Sequence, residues 1–233
     1  MPRDETQRRL DAIAAVHKGL RARVAELDEP AMRAPTALPG WRRAHVVTHL
    51  ADLAWAFARQ ARCTREGRVV EVYDGGRPAR DTAIELGATR HADALAEALN
   101  DGLCELEQAW ADLSPEDWTK PCGYRNSALL ATQLCWWREV HIHSVDLDIG
   151  VSSEGWGEEL CRHIIGYLLP RLPGARTTVL LAGDDRWEHG RGAPTTVHGT
   201  HTTLAAWLTG RPAARRPRAY GAGDSLPELG PWP

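Results

Sequence analysis

The sequence has few lysines, no long apolar run and no signal for export. Only Lys18 and Lys120 are lysine among the 28 basic residues, so the basic charge is almost entirely arginine, which is typical of a GC-rich genome. No stretch is long and apolar enough to cross a bilayer, which excludes a transmembrane helix. The N-terminal segment lacks the apolar centre and the cleavage site of a signal peptide. We therefore expect a cytoplasmic protein.

The cysteines are few and widely spaced, and none forms a C-x-x-C pair. This excludes a zinc ribbon and a thioredoxin-like motif. Free cysteine is commonly buried, so we expect reduced and mostly buried thiols, with one cysteine near a functional site as the alternative. The five positions are Cys63, Cys104, Cys122, Cys135 and Cys161.

The overall composition is that of an ordinary globular protein, and its net charge indicates no binding to nucleic acid or to an anionic membrane. The chain has 233 residues, 43% of them hydrophobic and 25% charged, and could form one large or two small domains. A net charge of −3 provides no general attraction to nucleic acid or to an anionic membrane. We expect a monomer that acts on small molecules.

Apolar residues recur with the period of a helix over most of the first two-thirds of the chain. The loops between these helices are of a length that suggests a four-helix bundle. Helices are predicted over Thr6 to about Leu27, Arg43 to about Thr64, about Ala79 to Leu113 with a break near Thr89, and Ser127 to about Asp148. The intervening Pro30–Gly40 and Gly67–Pro78 are predicted to be connections.

The character of the sequence changes after residue 150. Runs rich in β-branched residues alternate there with turn residues, which indicates strands. We predict a helix over Trp156–Leu169, strands over Thr177–Ala182, Arg186–His189 and Thr195–Gly199, a helix over Thr200–Leu208, and an extended tail from Arg211. The fold class is therefore mainly helical α+β, with an all-α domain over 1–150 and a small α+β domain over 151–233.

Two helical segments far apart in sequence carry candidate metal ligands. Glu139 and His143 are four residues apart, so they share one face of a helix about one turn apart. His49, in the earlier segment, adds a third ligand of the kind that zinc accepts. Three protein ligands leave one position open, as in catalytic zinc sites. His141 points away from this face, so we interpret it as a non-ligand.

Spacing alone leaves an alternative open at these positions. His49 and His143 could be histidines of the core, with Glu139 paired to Arg138 or Arg42. His45 and His49 form H-x-x-x-H, but the glutamate of H-E-x-x-H is missing, so a zincin is not indicated.

Two motifs together resemble a known family. The first is L-P-G-W-x-R-x-H-V-x-x-H-L-A, which ends at Ala51, and the second is R-E-V-x-I-H-x-V-D-L, which ends at Leu147. They resemble the mycothiol-dependent maleylpyruvate isomerases, a branch of the DinB-like metal-binding four-helix bundles. Weaker similarity continues to the Pro-Trp ending at Trp232.

The resemblance implies a set of site residues. Its zinc ligands fall on His49, Glu139 and His143, while His45 falls where the family needs no histidine. Two arginines that serve the substrate fall on Arg80 and, in the C-terminal domain, on Arg211. His141 departs from the family, which has an aromatic residue such as tryptophan at that position.

The resemblance also implies an activity, with zinc and mycothiol as cofactors. Zinc would hold the mycothiol thiol as a thiolate, which adds to maleylpyruvate so that the former double bond can rotate to give fumarylpyruvate. Arg80 and Arg211 would grip the dicarboxylate, and the C-terminal domain would complete the cleft.

Two other functions are compatible with the same candidate metal ligands. A mycothiol S-transferase could attack an electrophilic xenobiotic or a biosynthetic intermediate with the same thiolate. A non-catalytic metal-binding protein is the second alternative. Nickel or iron would accept the same ligands as zinc.

Overall fold

The computed structural model describes residues 3–221 and 225–233, which fold into two compact units. The first unit spans Met1–Ile149 and the second spans Gly150–Pro233. The first is helical, and the second combines helices with a four-stranded sheet. This confirms the expected mainly helical α+β fold. No helix within the described ranges is long and apolar enough to span a membrane.

Four long helices form a bundle in the first unit. The helices of this unit are α1 (Arg3–Ala25), α2 (Glu29–Arg33), α3 (Arg43–Arg65), α4 (Gly76–Gly87), α5 (Ala92–Ala111) and α6 (Leu130–Asp146). Helix α3 packs against α5 and α6, and α1 packs against the same two helices. Each long helix thus has two long neighbours, as in a four-helix bundle. Large apolar side chains such as Phe57, Leu103 and Trp136 are fully buried between them.

Helix α2 corrects the prediction of a loop over Pro30–Gly40. Its first turn is capped by Asp28, whose carboxylate accepts a hydrogen bond from the backbone N–H of Ala31 at 2.8 Å. Pro30 lies in that first turn, where a missing backbone N–H costs no helical hydrogen bond. Proline therefore starts a short helix here.

The connection predicted over Gly67–Pro78 also extends too far, because its last residues belong to a helix. Helix α4 begins at Gly76, directly after Gly75, which has a left-handed backbone conformation with φ of 81°. Pro78 lies in the first turn of α4, where a helix tolerates proline. The break expected near Thr89 is present as the connection between α4 and α5.

The second unit is a sheet with two α-helices. Its elements are α7 (Glu158–Leu168), β1 (Thr177–Ala182), β2 (Asp185–His189), β3 (Pro194–His198), α8 (His201–Thr209) and β4 (Arg218–Gly221). The strand order is β2-β1-β3-β4. Strand β1 pairs antiparallel with β2 and parallel with β3, and β4 pairs antiparallel with β3. Helices α7 and α8 pack on each other, and α8 also contacts β1.

Strand β4 was not expected in the tail. It pairs with β3 in a register that places Thr196 opposite Tyr220. The tail is rich in proline and arginine, so its sequence lacks the alternation typical of a strand. The free edge of β3 provides backbone hydrogen-bonding groups, and these order this part of the tail.

Candidate metal centre and substrate residues

Helices α3 and α6 bring His49, Glu139 and His143 together within the bundle. The Nε2 atoms of His49 and His143 each lie 3.2 Å from the same Oε2 atom of Glu139. One candidate ligand atom from each residue lies within 4.8 Å of those of the other two. The two imidazole rings are nearly perpendicular, with centroids 4.9 Å apart. Three residues that are distant in sequence thus converge on one point.

A carboxylate outside this group orients His143. The Nδ1 atom of His143 lies 2.9 Å from Oδ2 of Asp146, one turn further along α6. An Nδ1–H that donates to Asp146 leaves Nε2 directed at Glu139. Metal-binding histidines are commonly fixed by such a carboxylate on their other ring nitrogen. Asp146 itself is buried, so this contact is shielded from water.

Burial and hydrogen bonding set the charge of the three side chains. Burial favours the neutral acid of Glu139, but the hydrogen bonds from His143 and His49 outweigh it and hold its pKa well below the usual 4.5. Burial alone would lower the pKa of His143, yet its bonds to Asp146 and Glu139 raise it to about 9. Burial lowers the pKa of His49. Near neutral pH the group therefore holds a neutral imidazole, a carboxylate and an imidazolium.

The donor set fits a divalent cation. Two imidazole nitrogens and one carboxylate oxygen are ligands of catalytic zinc sites. The imidazolium of His143 already places a positive charge against Glu139. A bound cation would replace the His143 proton, since metal ligands must be deprotonated. The fixed ring of His143 and the ionised Glu139 are both suited to that exchange.

Arg80, from α4, lies against His49. Its Nη2 atom is 3.2 Å from Nδ1 of His49, while its Nη1 atom is 2.7 Å from Oδ1 of Asp81. A guanidinium can only donate, so Nδ1 of His49 accepts and the imidazole proton lies on Nε2. A cation on Nε2 requires the opposite tautomer, which has its proton on Nδ1. The Arg80 bond and a cation at this atom therefore exclude each other.

Tyr73 is a second neighbour of Arg80. The guanidinium of Arg80 donates to the hydroxyl oxygen of Tyr73. Burial raises the pKa of Tyr73 to about 12, despite the opposing charge of Arg80. The hydroxyl thus remains protonated at physiological pH. Asp81 and Tyr73 together hold Arg80 beside the candidate metal ligands.

A family-level sequence comparison covers the helices that carry this group of residues. The sequence model described as the mycothiol maleylpyruvate isomerase N-terminal domain matches residues 13–148, which is more than half of the chain. The chain belongs to this family. The resemblance carried by the two helical motifs is thereby confirmed, and the match spans all three candidate ligands.

Solved structures show that the fold of this chain is known. A crystal structure of a mycothiol-dependent maleylpyruvate isomerase is 21% identical in sequence, and one of a histidine-to-alanine mutant of such an isomerase is 20% identical. Each superposes with a TM-score of 0.85 and covers 96% of this chain and 95% of that chain. No curated protein matches the sequence. At this identity the likeness establishes the fold.

The second arginine implied by the family, Arg211, lies in the second unit. It follows α8, and its backbone N–H donates to the carbonyl of Ala206 at 2.9 Å. Gly210 between them has a φ of 74°, as expected at the end of a helix that closes in this way. The guanidinium donates to the carbonyl of Thr209 and lies 5.4 Å from the ring centroid of Trp232. Hydrogen bonds and the contact with Trp232 thus fix both the backbone and the side chain of Arg211 in position.

The remaining histidines of the two family motifs have structural contacts. The Nδ1 atom of His45 accepts a hydrogen bond from the backbone N–H of Arg42 at 3.1 Å, which caps α3. The Nδ1 atom of His141 lies 2.8 Å from the carbonyl oxygen of Trp137. Burial lowers the pKa of His141 to about 4, so its ring is neutral.

All five cysteines are free, and four of them are buried. Cys104 is the exposed one. Cys135 lies one turn before Glu139 on α6, which makes it the cysteine nearest in sequence to a candidate ligand. Burial, with a further contribution from the charge of Glu139, raises the pKa of the Cys135 thiol to about 12. This thiol is therefore protonated at neutral pH and is a poor nucleophile.

A second cluster of candidate ligands lies in the second unit but already has a counterion. Nε2 and Nδ1 of His201 lie 2.6 Å from Asp185 and 3.3 Å from Glu158, respectively. Arg162 contacts both carboxylates at 2.5 Å. The guanidinium of Arg162 thus bridges the two carboxylates and balances part of their charge without a metal.

Sequence reasoning missed the two carboxylates that support the site. Asp146 follows His143 by three residues and so shares its helix face, a signal that was available. Asp81 directly follows Arg80 in sequence, and adjacent residues of a helix do not share a face, so the sequence did not predict their contact. Its role depends on the rotamer that Arg80 adopts beside His49.

Proposed function

We propose that this protein isomerises maleylpyruvate to fumarylpyruvate with mycothiol as its thiol cofactor. The observation that carries the proposal is the convergence of His49, Glu139 and His143 in a member of this family. The crystallised isomerases that share the fold supply the substrate and the cofactor by analogy.

His49, Glu139 and His143 would hold a zinc ion. When bound, the ion would lower the pKa of the mycothiol thiol so that it is a thiolate at neutral pH. Two neutral imidazoles and one carboxylate leave zinc with a net charge of +1, and a thiolate brings the site to neutrality. Asp146 keeps the His143 ring in the orientation that this requires.

The nucleophile would come from outside the chain. Cys135 is the cysteine nearest to Glu139 along α6, and its pKa of about 12 makes it unsuitable. A low-molecular-weight thiol is therefore consistent with the chemistry of the site. Such a thiol would supply reversible addition to the alkene, which turns the double bond into a rotatable single bond and places enolate charge on the substrate until a trans double bond is restored.

Arg80 and Arg211 would act on the substrate rather than on the thiol. A guanidinium binds a carboxylate through two parallel hydrogen bonds, and maleylpyruvate has two carboxylates. The enolate adds negative charge during the reaction, so fixed guanidinium donors would stabilise it more than the ground state. This role is supported by two contacts: Asp81 holds the Arg80 guanidinium, and Arg211 is fixed at the end of α8.

The first experiment is an absorbance assay of the zinc-loaded protein with maleylpyruvate, with and without mycothiol. We expect turnover only when mycothiol is present. A protein that binds zinc and mycothiol but leaves maleylpyruvate unchanged would contradict the proposal and favour a mycothiol S-transferase.

Paired variants connect this activity to the proposed residues. His49→Ala is expected to lose zinc and turnover together, whereas His91→Ala, an exposed histidine, retains both. Arg211→Ala is expected to retain zinc but to turn over the dicarboxylate slowly, and Arg186→Ala serves as its exposed control. Full activity of metal-free His49→Ala would exclude the zinc-dependent mechanism.

A further inference from the structure

The C-terminal tail places an aromatic ring between two arginines of the second unit. The Cζ atom of Arg171 lies 5.3 Å from the ring centroid of Trp232, and that of Arg211 lies 5.4 Å from the same centroid. Both distances are within the range of a cation–π interaction. Trp232 is 41% exposed, which is unusual for the largest apolar side chain. Its contacts with two guanidiniums account for its position at the surface.

The ring is held in place by the backbone two residues before it. The Nε atom of Arg171 donates to the carbonyl of Gly230 at 2.8 Å, and the N–H of Gly230 donates to the carbonyl of Arg171 at 2.7 Å. This reciprocal pair anchors the tail to the segment that follows α7. The tail thus reaches Arg211 through a defined set of contacts.

The two guanidiniums also converge on the end of α8. Arg171 donates to the carbonyl of Leu208, and Arg211 donates to that of Thr209. The carbonyl end of a helix carries partial negative charge and favours cations. Burial and the charge of Arg211 together lower the pKa of Arg171, so the two cations are close enough to repel each other. Without the shared ring and the helix end, the two side chains would move apart.

We propose that Trp232 and Arg171 are positioning residues that hold the Arg211 guanidinium in the orientation needed for a substrate carboxylate. The inference rests on the proposed function, because that function assigns a substrate carboxylate to Arg211. A fixed guanidinium loses little conformational entropy when it binds a carboxylate. Arg171 adds a second positive charge, which strengthens the attraction for a dianion. The pair of arginines therefore favours an anionic substrate over a neutral one.

Steady-state kinetics of three variants test this proposal. In Trp232→Ala we expect the KM for maleylpyruvate to rise roughly fivefold, the change that corresponds to loss of the exposed cation–π contact with Arg211. The KM for mycothiol and the zinc content should stay unchanged. Trp232→Phe keeps an aromatic face and should recover most of the loss. Tyr220→Ala removes another exposed aromatic side chain of this unit, one whose ring contacts His198, and serves as the matched control.

A readout without turnover separates this inference from the proposed function. The Nε–H signal of Arg211 in a ¹⁵N spectrum, assigned with Arg211→Lys, should be sharp in the wild type and averaged in Trp232→Ala. Calorimetry with maleate as a non-reacting dicarboxylate should show weaker binding to Trp232→Ala, even if maleylpyruvate is not a substrate. An unchanged Arg211 signal, or an unchanged affinity for both dicarboxylates, would overturn the positioning role. A wild type that binds maleate more tightly than Trp232→Ala does but does not isomerise maleylpyruvate would contradict only the proposed function.

Discussion

Asp146 accepts a hydrogen bond from Nδ1 of His143 at 2.9 Å, so the orientation of a candidate metal ligand depends on a buried carboxylate one turn away. Asp146→Asn keeps the size of the side chain but removes its charge. Because carboxylate partners of metal-binding histidines raise their basicity and fix their rings, we expect metal affinity to fall about 10- to 100-fold. Competition with a chromophoric chelator measures this change.

Asp148→Asn is the matched control for this variant. Asp148 lies two residues further along the chain, and its side chain is 90% exposed beside Arg43. We expect its metal affinity to equal that of the wild type. Equal affinities for Asp146→Asn and the wild type would show that Asp146 does not support the ligand.

Metal binding should depend on pH through His143. In the metal-free protein, bonds to Asp146 and Glu139 outweigh burial and raise the pKa of His143 to about 9. Below that pH a metal must displace the proton, so we expect the apparent affinity to rise about tenfold per pH unit from pH 6 to 8 and to level off above about pH 9.

Proton release at pH 7 provides an independent check. Burial lowers the pKa of His49, and Glu139 is ionised, so neither should release a proton at that pH. Calorimetry in two buffers with different ionisation enthalpies should therefore show close to one proton released per metal. A release close to zero would contradict the protonation state assigned to His143.

Arg80 should compete with the metal for His49. Its guanidinium donates to Nδ1 of His49, which stabilises the tautomer that carries a proton on Nε2. Arg80→Ala removes this charged hydrogen bond and the nearby positive charge. We expect metal affinity to rise roughly tenfold, the effect of a charge-assisted bond, while turnover of maleylpyruvate falls.

Arg59→Ala provides the comparison for Arg80→Ala. Arg59 lies on α3 and pairs with Asp74 at 2.8 Å at the surface. Its removal should leave metal affinity unchanged. If Arg80→Ala binds metal no more tightly than Arg59→Ala, the two contacts at His49 do not compete.

A half-buried cluster on the opposite pair of helices, made of Glu107, His17 and Arg21, should make stability depend on pH. Glu107 of α5 lies 2.7 Å from Nδ1 of His17 and 2.9 Å from Arg21, both on α1. Burial favours the neutral acid of Glu107, but these two partners outweigh it and lower its pKa to about 2. A lowered acid pKa adds stability that is fully present above the unfolded value of 4.5 and is lost as the pH falls towards 2.

Glu107→Gln tests this pH dependence. We expect the free energy of unfolding at pH 7 to fall by about 1 kcal/mol, a figure reduced for the partial exposure of Glu107. Between pH 5 and 3 the stability of the variant should vary less steeply than that of the wild type. Urea unfolding across this range measures both effects, with the exposed Glu97→Gln as control. Parallel pH profiles for the wild type and Glu107→Gln would exclude the cluster as the cause.

The elements that sequence patterns predicted well are those whose local signals agree with their packing. The periodic apolar residues of α3 and α6 predicted both helices, and i, i+4 spacing placed Glu139 and His143 on one face. Strand β1 was predicted at its observed bounds, since its β-branched run is buried in the sheet. Helix α2 departs from the prediction because Pro30, a typical loop residue, lies here in a helical first turn. Strand β4 departs from it because β4 depends on pairing with the edge of β3.

By itself, the sequence determined the helical bundle, the choice of His49, Glu139 and His143 as candidate ligands, and the family. These follow from side-chain periodicity and from two motifs, each of which places its candidate ligands within a few helical turns. Only the tertiary structure decided that Asp146 contacts Nδ1 of His143 while Arg80 contacts Nδ1 of His49, and that Trp232 contacts Arg171 and Arg211. Contacts of this kind depend on rotamers and on packing between distant segments. Apart from the i, i+3 spacing of His143 and Asp146, no local pattern in the chain encodes them.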